Sequence, residues 1–89
     1  MKFDDIWQRI VRNAGQTFHT KLDLPFTYEV SGDDLLPFRN GNWVHRYIPK
    51  KDIQYVHDNG PYRGPSEINQ VVQGPSYVWA IMNDKRITG

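Results

Sequence analysis

Apolar and polar positions alternate along this chain with two periods, and the changes between them mark out the elements. Phe3, Ile6, Trp7, Ile10, Val11 and Ala14 recur at steps of three and four. That spacing gathers side chains on one face of a helix of about three turns. Asp4 and Asp5 at its start and Arg9 and Arg12 near its end complement the helix dipole. Asn13-Ala14-Gly15 supplies a stop, Gly15 being suited to a left-handed cap.

From Gln16 to Ile48 the period falls to two. Thr17-Phe18-His19-Thr20 is a short β-prone run, and Phe26, Tyr28 and Val30 alternate with Thr27 and Glu29 as in a half-buried strand. After a turn at Ser31-Gly32-Asp33-Asp34 comes a third run, Leu35-Leu36-Pro37-Phe38-Arg39, which Pro37 confines to an edge or a bulge. Asn40 and Gly41 both tolerate positive φ and predict a type I′ hairpin turn. A fourth strand is then predicted from Asn42 to Ile48. It would place Trp43, His45 and Tyr47 on one face and Val44, Arg46 and Ile48 on the other.

Helical signals return at Pro49. As N-cap it puts Asp52 in the third helical position and lets Ile48 staple onto Ile53. Ile53, Val56 and His57 share a face, and Asp58-Asn59-Gly60-Pro61 ends the helix in a Gly/Pro-rich loop. A ten-residue echo follows. Gly64-Pro65-Ser66 precedes Ile68, Val71 and Val72, and Gly74-Pro75-Ser76 precedes Val78, Ile81 and Met82. Each cassette reads as a glycine stop, a proline fixed for turn or helix entry, a serine able to cap, and apolar residues at the spacing of a short helix. Residues 77–82 are apolar nearly all round, which predicts the most buried helix. The fold class is therefore α+β: an N-terminal helix, a three- to four-stranded antiparallel β-meander, then two or three short helices packed on one sheet face.

Composition narrows the function more than the fold. A chain of 89 residues supports one domain, here residues 1–89. Eleven basic against ten acidic residues leave a net charge of +1, so no global field draws the protein to nucleic acid or an anionic membrane. The absence of cysteine excludes disulfides, thiolate metal sites and cysteine nucleophiles. The N-terminus lacks the apolar core of a signal peptide, and the longest apolar stretch, 77–82, is too short to span a membrane. A bacterial cytoplasmic protein that does not act at a membrane is the resulting expectation.

Catalytic patterns fail one by one. His19, His45 and His57 have no close pairing of the kind metal sites use. Ser31, Ser66 and Ser76 lie in turn and cap contexts, outside any nucleophile elbow. The glycines form no phosphate loop, because those at 60, 64 and 74 are followed by prolines, which lack an N–H. Glu29, the one mid-strand carboxylate, would serve as a base only if buried, and its position predicts a solvent-facing side chain. No cofactor, metal or catalytic residue is expected.

Two binding surfaces remain. Residues 38–51 hold Arg39, Trp43, His45, Arg46, Tyr47, Lys50 and Lys51 with no acidic residue among them, the mixture a nucleic-acid ribbon uses for stacking and phosphate contacts. The aromatic share of 13% exceeds what so small a core readily holds, and surplus Trp and Tyr are typical of protein interfaces. Tyr62 and Arg63, between Gly-Pro corners, are the expected exposed anchors. The first expectation is a non-catalytic protein-interaction or regulatory module, with a protein partner or self-association. Nucleic-acid binding through residues 38–51 comes second and a small enzyme last.

Overall fold

The N-terminal periodicity folds as helix α1, Phe3–Arg12, with Phe3, Ile6, Trp7 and Ile10 buried along one stripe. In this computed structural model, which describes all of residues 1–89, Val11 stays 41% exposed because it lies at the margin of that stripe. The C-terminal end of α1 is closed in an unusual way. Arg9's carbonyl accepts from the Asn13 backbone, at 3.0 Å, and from the Asn13 side chain, at 2.8 Å, while the Tyr28 hydroxyl donates to the carbonyl of Ile10. Gly15, at φ +85°, turns back so that its N–H donates to the Tyr28 carbonyl at 2.9 Å.

The sheet is an antiparallel meander. Strands β1 (Phe18–His19), β2 (Pro25–Ser31), β3 (Asp34–Arg39) and β4 (Asn42–Trp43) lie in sequence order. A fifth strand, β5 (Ile48–Pro49), also pairs with β3. Between β3 and β4 Asn40 and Gly41 both have positive φ, as the type I′ turn requires.

The predicted continuous strand from Asn42 to Ile48 is broken. Phe38 faces Trp43 and Leu35 faces Ile48, so residues 44–47 stand opposite only Leu36 and Pro37. Pro37 explains the break. It is not at an edge; β3 is the central strand, paired with β2 on one side and β4 and β5 on the other. A residue in an antiparallel strand points its N–H and C=O to the same side. Pro37 accepts from the Val44 N–H at 3.1 Å, so its missing donor falls on the β4 side, where the partner chain bulges outward.

Helix α2, Lys50–Asn59, begins with Pro49 as its N-cap residue and buries Ile53 and Val56. The first Gly-Pro-Ser cassette forms only a 3₁₀ turn, Pro65–Glu67, although Ile68 and Val72 reach the core. The second opens helix α3, Pro75–Met82, in which Val78, Ala80 and Ile81 are buried. In both cassettes glycine occupies the cap and proline the first turn, and neither helix start has a side-chain cap bond. The capping role expected of Ser66 and Ser76 is thus absent. A last helix, α4 (Lys85–Thr88), is capped by Asp84, which accepts from the Arg86 N–H.

All these helices cover one face of the sheet. Phe18, Phe26, Tyr28, Leu35 and Ile48 join Ile6, Ile10, Ile53, Val78, Ile81 and Ile87 in a single core. Alternation sends Thr27, Glu29, Leu36 and Phe38 to the opposite face, which no helix covers. No helix is long and apolar enough to cross a membrane.

Two groups make the scaffold pH-sensitive. Burial pushes the Tyr28 phenol well above its ordinary value, with the Arg86 charge partly opposing the rise. The neutral phenol is therefore favoured in the fold, and its contribution is complete below about pH 10 and lost as pH rises beyond it. Tyr28→Phe is expected to lower stability by about 1–3 kcal/mol at pH 7. It should also flatten the alkaline limb of a urea-denaturation series between pH 9 and about 11. An unchanged midpoint would show that the bond to Ile10 carries no weight.

Asp84 behaves in the opposite sense. Hydrogen bonds from the Arg86 side chain hold its carboxyl below the usual range. Its stabilisation is present above about pH 4 and lost as pH falls. Asp84→Asn should shallow the acid limb of the melting temperature against pH, and an identical acid limb in the variant would refute the linkage.

Candidate functional site

The break opposite Pro37 builds the most distinctive surface of the molecule. Chain leaving β4 at Trp43 turns out of the sheet through Val44–Tyr47, with His45 in the left-handed region at φ +59°. The predicted alternation of faces across 42–48 does not hold, yet the three expected rings still meet. His45 packs on Trp43 with ring centres 4.4 Å apart, and Tyr47 meets Trp43 edge-on at 5.1 Å. The Trp43 indole N–H donates to the Arg46 carbonyl at 3.2 Å, which closes the loop around its own aromatic centre. His45 and Arg46 are exposed, Trp43 is half-buried and Tyr47 is 54% exposed.

This cluster borders the uncovered sheet face. Phe38 is the cross-strand partner of Trp43 and of Thr27, and Leu36 pairs with Glu29. Leu36 and Phe38 are half-buried and stand outside the core cluster. The sequence signal for both was their odd spacing from Leu35 and Pro37. In a run as uniformly apolar as Leu35-Leu36-Pro37-Phe38, that spacing does not tell which alternate set faces the core.

The other expected site residues lie elsewhere. Arg39 shares the core-side alternation of Leu35 and Pro37 and emerges at the tip of β3, near the start of α3. Lys50 and Lys51 open α2, where they line a depression together with Asp33 and Asp34. The Lys50 ammonium sits 5.4 Å from the Trp7 ring centre. Tyr62 is half-buried against the core and does not form the exposed anchor expected of it, because the Trp79 indole N–H donates to its carbonyl at 3.1 Å and draws the loop onto α3. Arg63 is exposed, and its amide donates to the Glu67 carboxylate.

The histidines have separate surroundings. His19 pairs with Pro25 in β1, His45 belongs to the aromatic loop, and His57 bonds Asp58 at 2.9 Å and the Met1 carbonyl at 3.2 Å. Glu29 is exposed on the open sheet face.

Fold and surface together define a small α+β domain that presents an aromatic loop beside an uncovered antiparallel face. No known family, curated protein or solved structure matches the chain.

A left-handed conformation costs a side chain bearing a Cβ about 1–2 kcal/mol relative to glycine. His45→Gly should therefore leave thermal stability unchanged or raise it, even though a ring leaves the cluster. A marked loss of stability would show that the His45–Trp43 contact holds the domain together rather than shaping its surface.

Proposed function

We propose that the chain is a non-catalytic binding module that recognises a protein partner through the aromatic loop and the adjoining sheet face. The observation that carries this reading is the surface cluster in which exposed His45 and Tyr47 pack on half-buried Trp43, held together by the loop's own Trp43–Arg46 bond. Rigid amphipathic rings lose little side-chain freedom on association and supply the central anchors of protein interfaces. Leu36 and Phe38 extend the surface with apolar area that the core does not use.

Protein is favoured over nucleic acid by the distribution of charge. Arg46 is the one cation within the ring cluster, Glu29 lies on the same sheet face, and Lys50 and Lys51 share their depression with two aspartates. A surface of this kind neutralises few phosphates, and phosphate neutralisation supplies most non-specific affinity for nucleic acid.

The test is capture from a source lysate on the immobilised wild-type chain and on the Trp43→Ala/Tyr47→Ala variant, each with and without nuclease. A protein retained by the wild type after nuclease treatment and lost by the variant is the expected result. Loss of a single anchor should weaken the purified complex by about 30-fold or more. Capture that ignores the double substitution, or that disappears with nuclease, would overturn the proposal.

A further inference from the structure

A second feature lies on the helix side of the sheet. A cavity of about 380 Å³ opens between the β1–β2 loop, the tip of β3 and the start of α3. Its charged residues are Lys21 and Arg39, and no carboxylate lines it. Both cations lack an acidic partner, since the chain's ion pairs are Arg86–Asp84 and His57–Asp58. Arg39 is the stronger indication. Its Nε is closed off from solvent without a hydrogen-bond partner, the only buried side-chain polar atom in the protein left in that condition. Nor does the rest of the guanidinium bond to any group of the chain, and a partly buried cation without partners is costly unless a group entering the cavity meets the donors that line it.

The remaining walls supply further donors. Both Gly-Pro-Ser cassettes converge here and contribute Ser66 and Ser76, whose hydroxyls make no helix-cap bond. Thr20 joins them; its oxygen accepts from the Leu24 N–H at 3.1 Å, leaving its proton to donate. The loop that carries Lys21 is fixed by bonds between Thr20 and Leu24 and between Asp23 and Thr20. The Lys21 ammonium donates to the Arg63 carbonyl at 3.0 Å, which uses one of its three protons. Apolar surface comes from Tyr77 and from Leu22 and Leu24, the former 82% exposed.

We propose that this cavity binds a small phosphate monoester, its phosphate held by Arg39, Lys21 and the serine hydroxyls and its organic part against Leu22, Leu24 and Tyr77. A monoester carries close to two negative charges at neutral pH and offers three strong acceptor oxygens, which matches two cations and a ring of donors. A carboxylate or a phosphodiester brings one charge. The volume exceeds that of the phosphate and falls in the range of sites for small organic ligands. The site is separate from the aromatic surface, and the two proposals fail independently.

Titration calorimetry on the full chain provides the test, with inorganic phosphate, ribose 5-phosphate, adenosine 5′-monophosphate, adenosine and adenylyl-adenosine, whose only phosphate is a diester. The monoesters are expected to bind, inorganic phosphate to compete with them, and adenosine and the diester to bind at least about tenfold more weakly than adenosine monophosphate. Arg39→Met should abolish that preference without lowering the melting temperature of the free protein, because the guanidinium has no internal partner to lose. Ser66→Ala/Ser76→Ala, which leaves the sheet intact, should weaken monoester binding independently. Absence of binding by every monoester, equal binding of adenosine and its monophosphate, or a preference that survives both variants would overturn the proposal. Diester binding as tight as that of the monoester would overturn it in favour of a nucleic-acid strand.

Discussion

A ten-residue helix leaves its last carbonyls without partners inside the helix, and a buried end must find them elsewhere. In α1 the partner for Ile10 is the hydroxyl of Tyr28, which comes from the middle of β2. The same residue accepts the Gly15 N–H through its own carbonyl, so side chain and backbone of Tyr28 grip the two sides of the helix end. The ring between them is fully buried and lies 5.2 Å from Phe18. This clamp fixes α1 across β2, and α4 is tied to the same corner of the molecule. Arg9 of α1 donates to the Ile87 carbonyl of α4, while Arg86 of α4 stacks 3.9 Å above Phe18 and bonds the Thr17 carbonyl. Each attachment lies on the Tyr28 side of the sheet, which leaves the other side bare.

Pro37, buried on the Tyr28 side, acts along the flank of β3 that faces β4 and β5. Its missing N–H interrupts the ladder between β3 and the following chain, and the two surplus residues have to leave the sheet. A continuous strand would have spread Trp43, His45 and Tyr47 at alternate positions along one face. The bulge instead folds them onto one another within ring-contact distance. The surface that makes the domain distinctive thus follows from a backbone defect in the central strand.

The elements legible in the sequence were those decided locally. Helix α1 announces itself by spacing and charge, and Asn40-Gly41 by the φ values that two adjacent residues accept. Features decided at a distance were not legible. Nothing near Ile10 signals that a tyrosine eighteen residues away closes its helix. The alternation from Asn42 to Ile48 is a sound strand pattern, defeated by a proline in the neighbouring strand. Ser66 and Ser76 resemble caps until the structure shows glycine in the cap position. At the candidate site Trp43, His45, Arg46 and Tyr47 lie together in one loop, although the continuous strand expected to carry them is broken. Arg39 and the two lysines lie apart from them, because strand alternation sends Arg39 to the helix side and a turn of helix carries Lys50 and Lys51 towards Asp33 and Asp34.

Strand β3 connects these observations. Its alternate residues divide between two environments: Leu35 and Pro37 enter the core, while Leu36 and Phe38 face the uncovered side. Arg39 continues the inward series past the point where core side chains remain to receive it. A charged residue in that register would be an error in a strand whose only task was packing, since an inward guanidinium forfeits hydration without gaining a carboxylate. The side chain emerges instead where the two Gly-Pro-Ser corners leave a cavity, and its Nε is shielded there without a partner. The alternation that makes the rest of β3 a scaffold is the same property that directs its last residue towards the cavity.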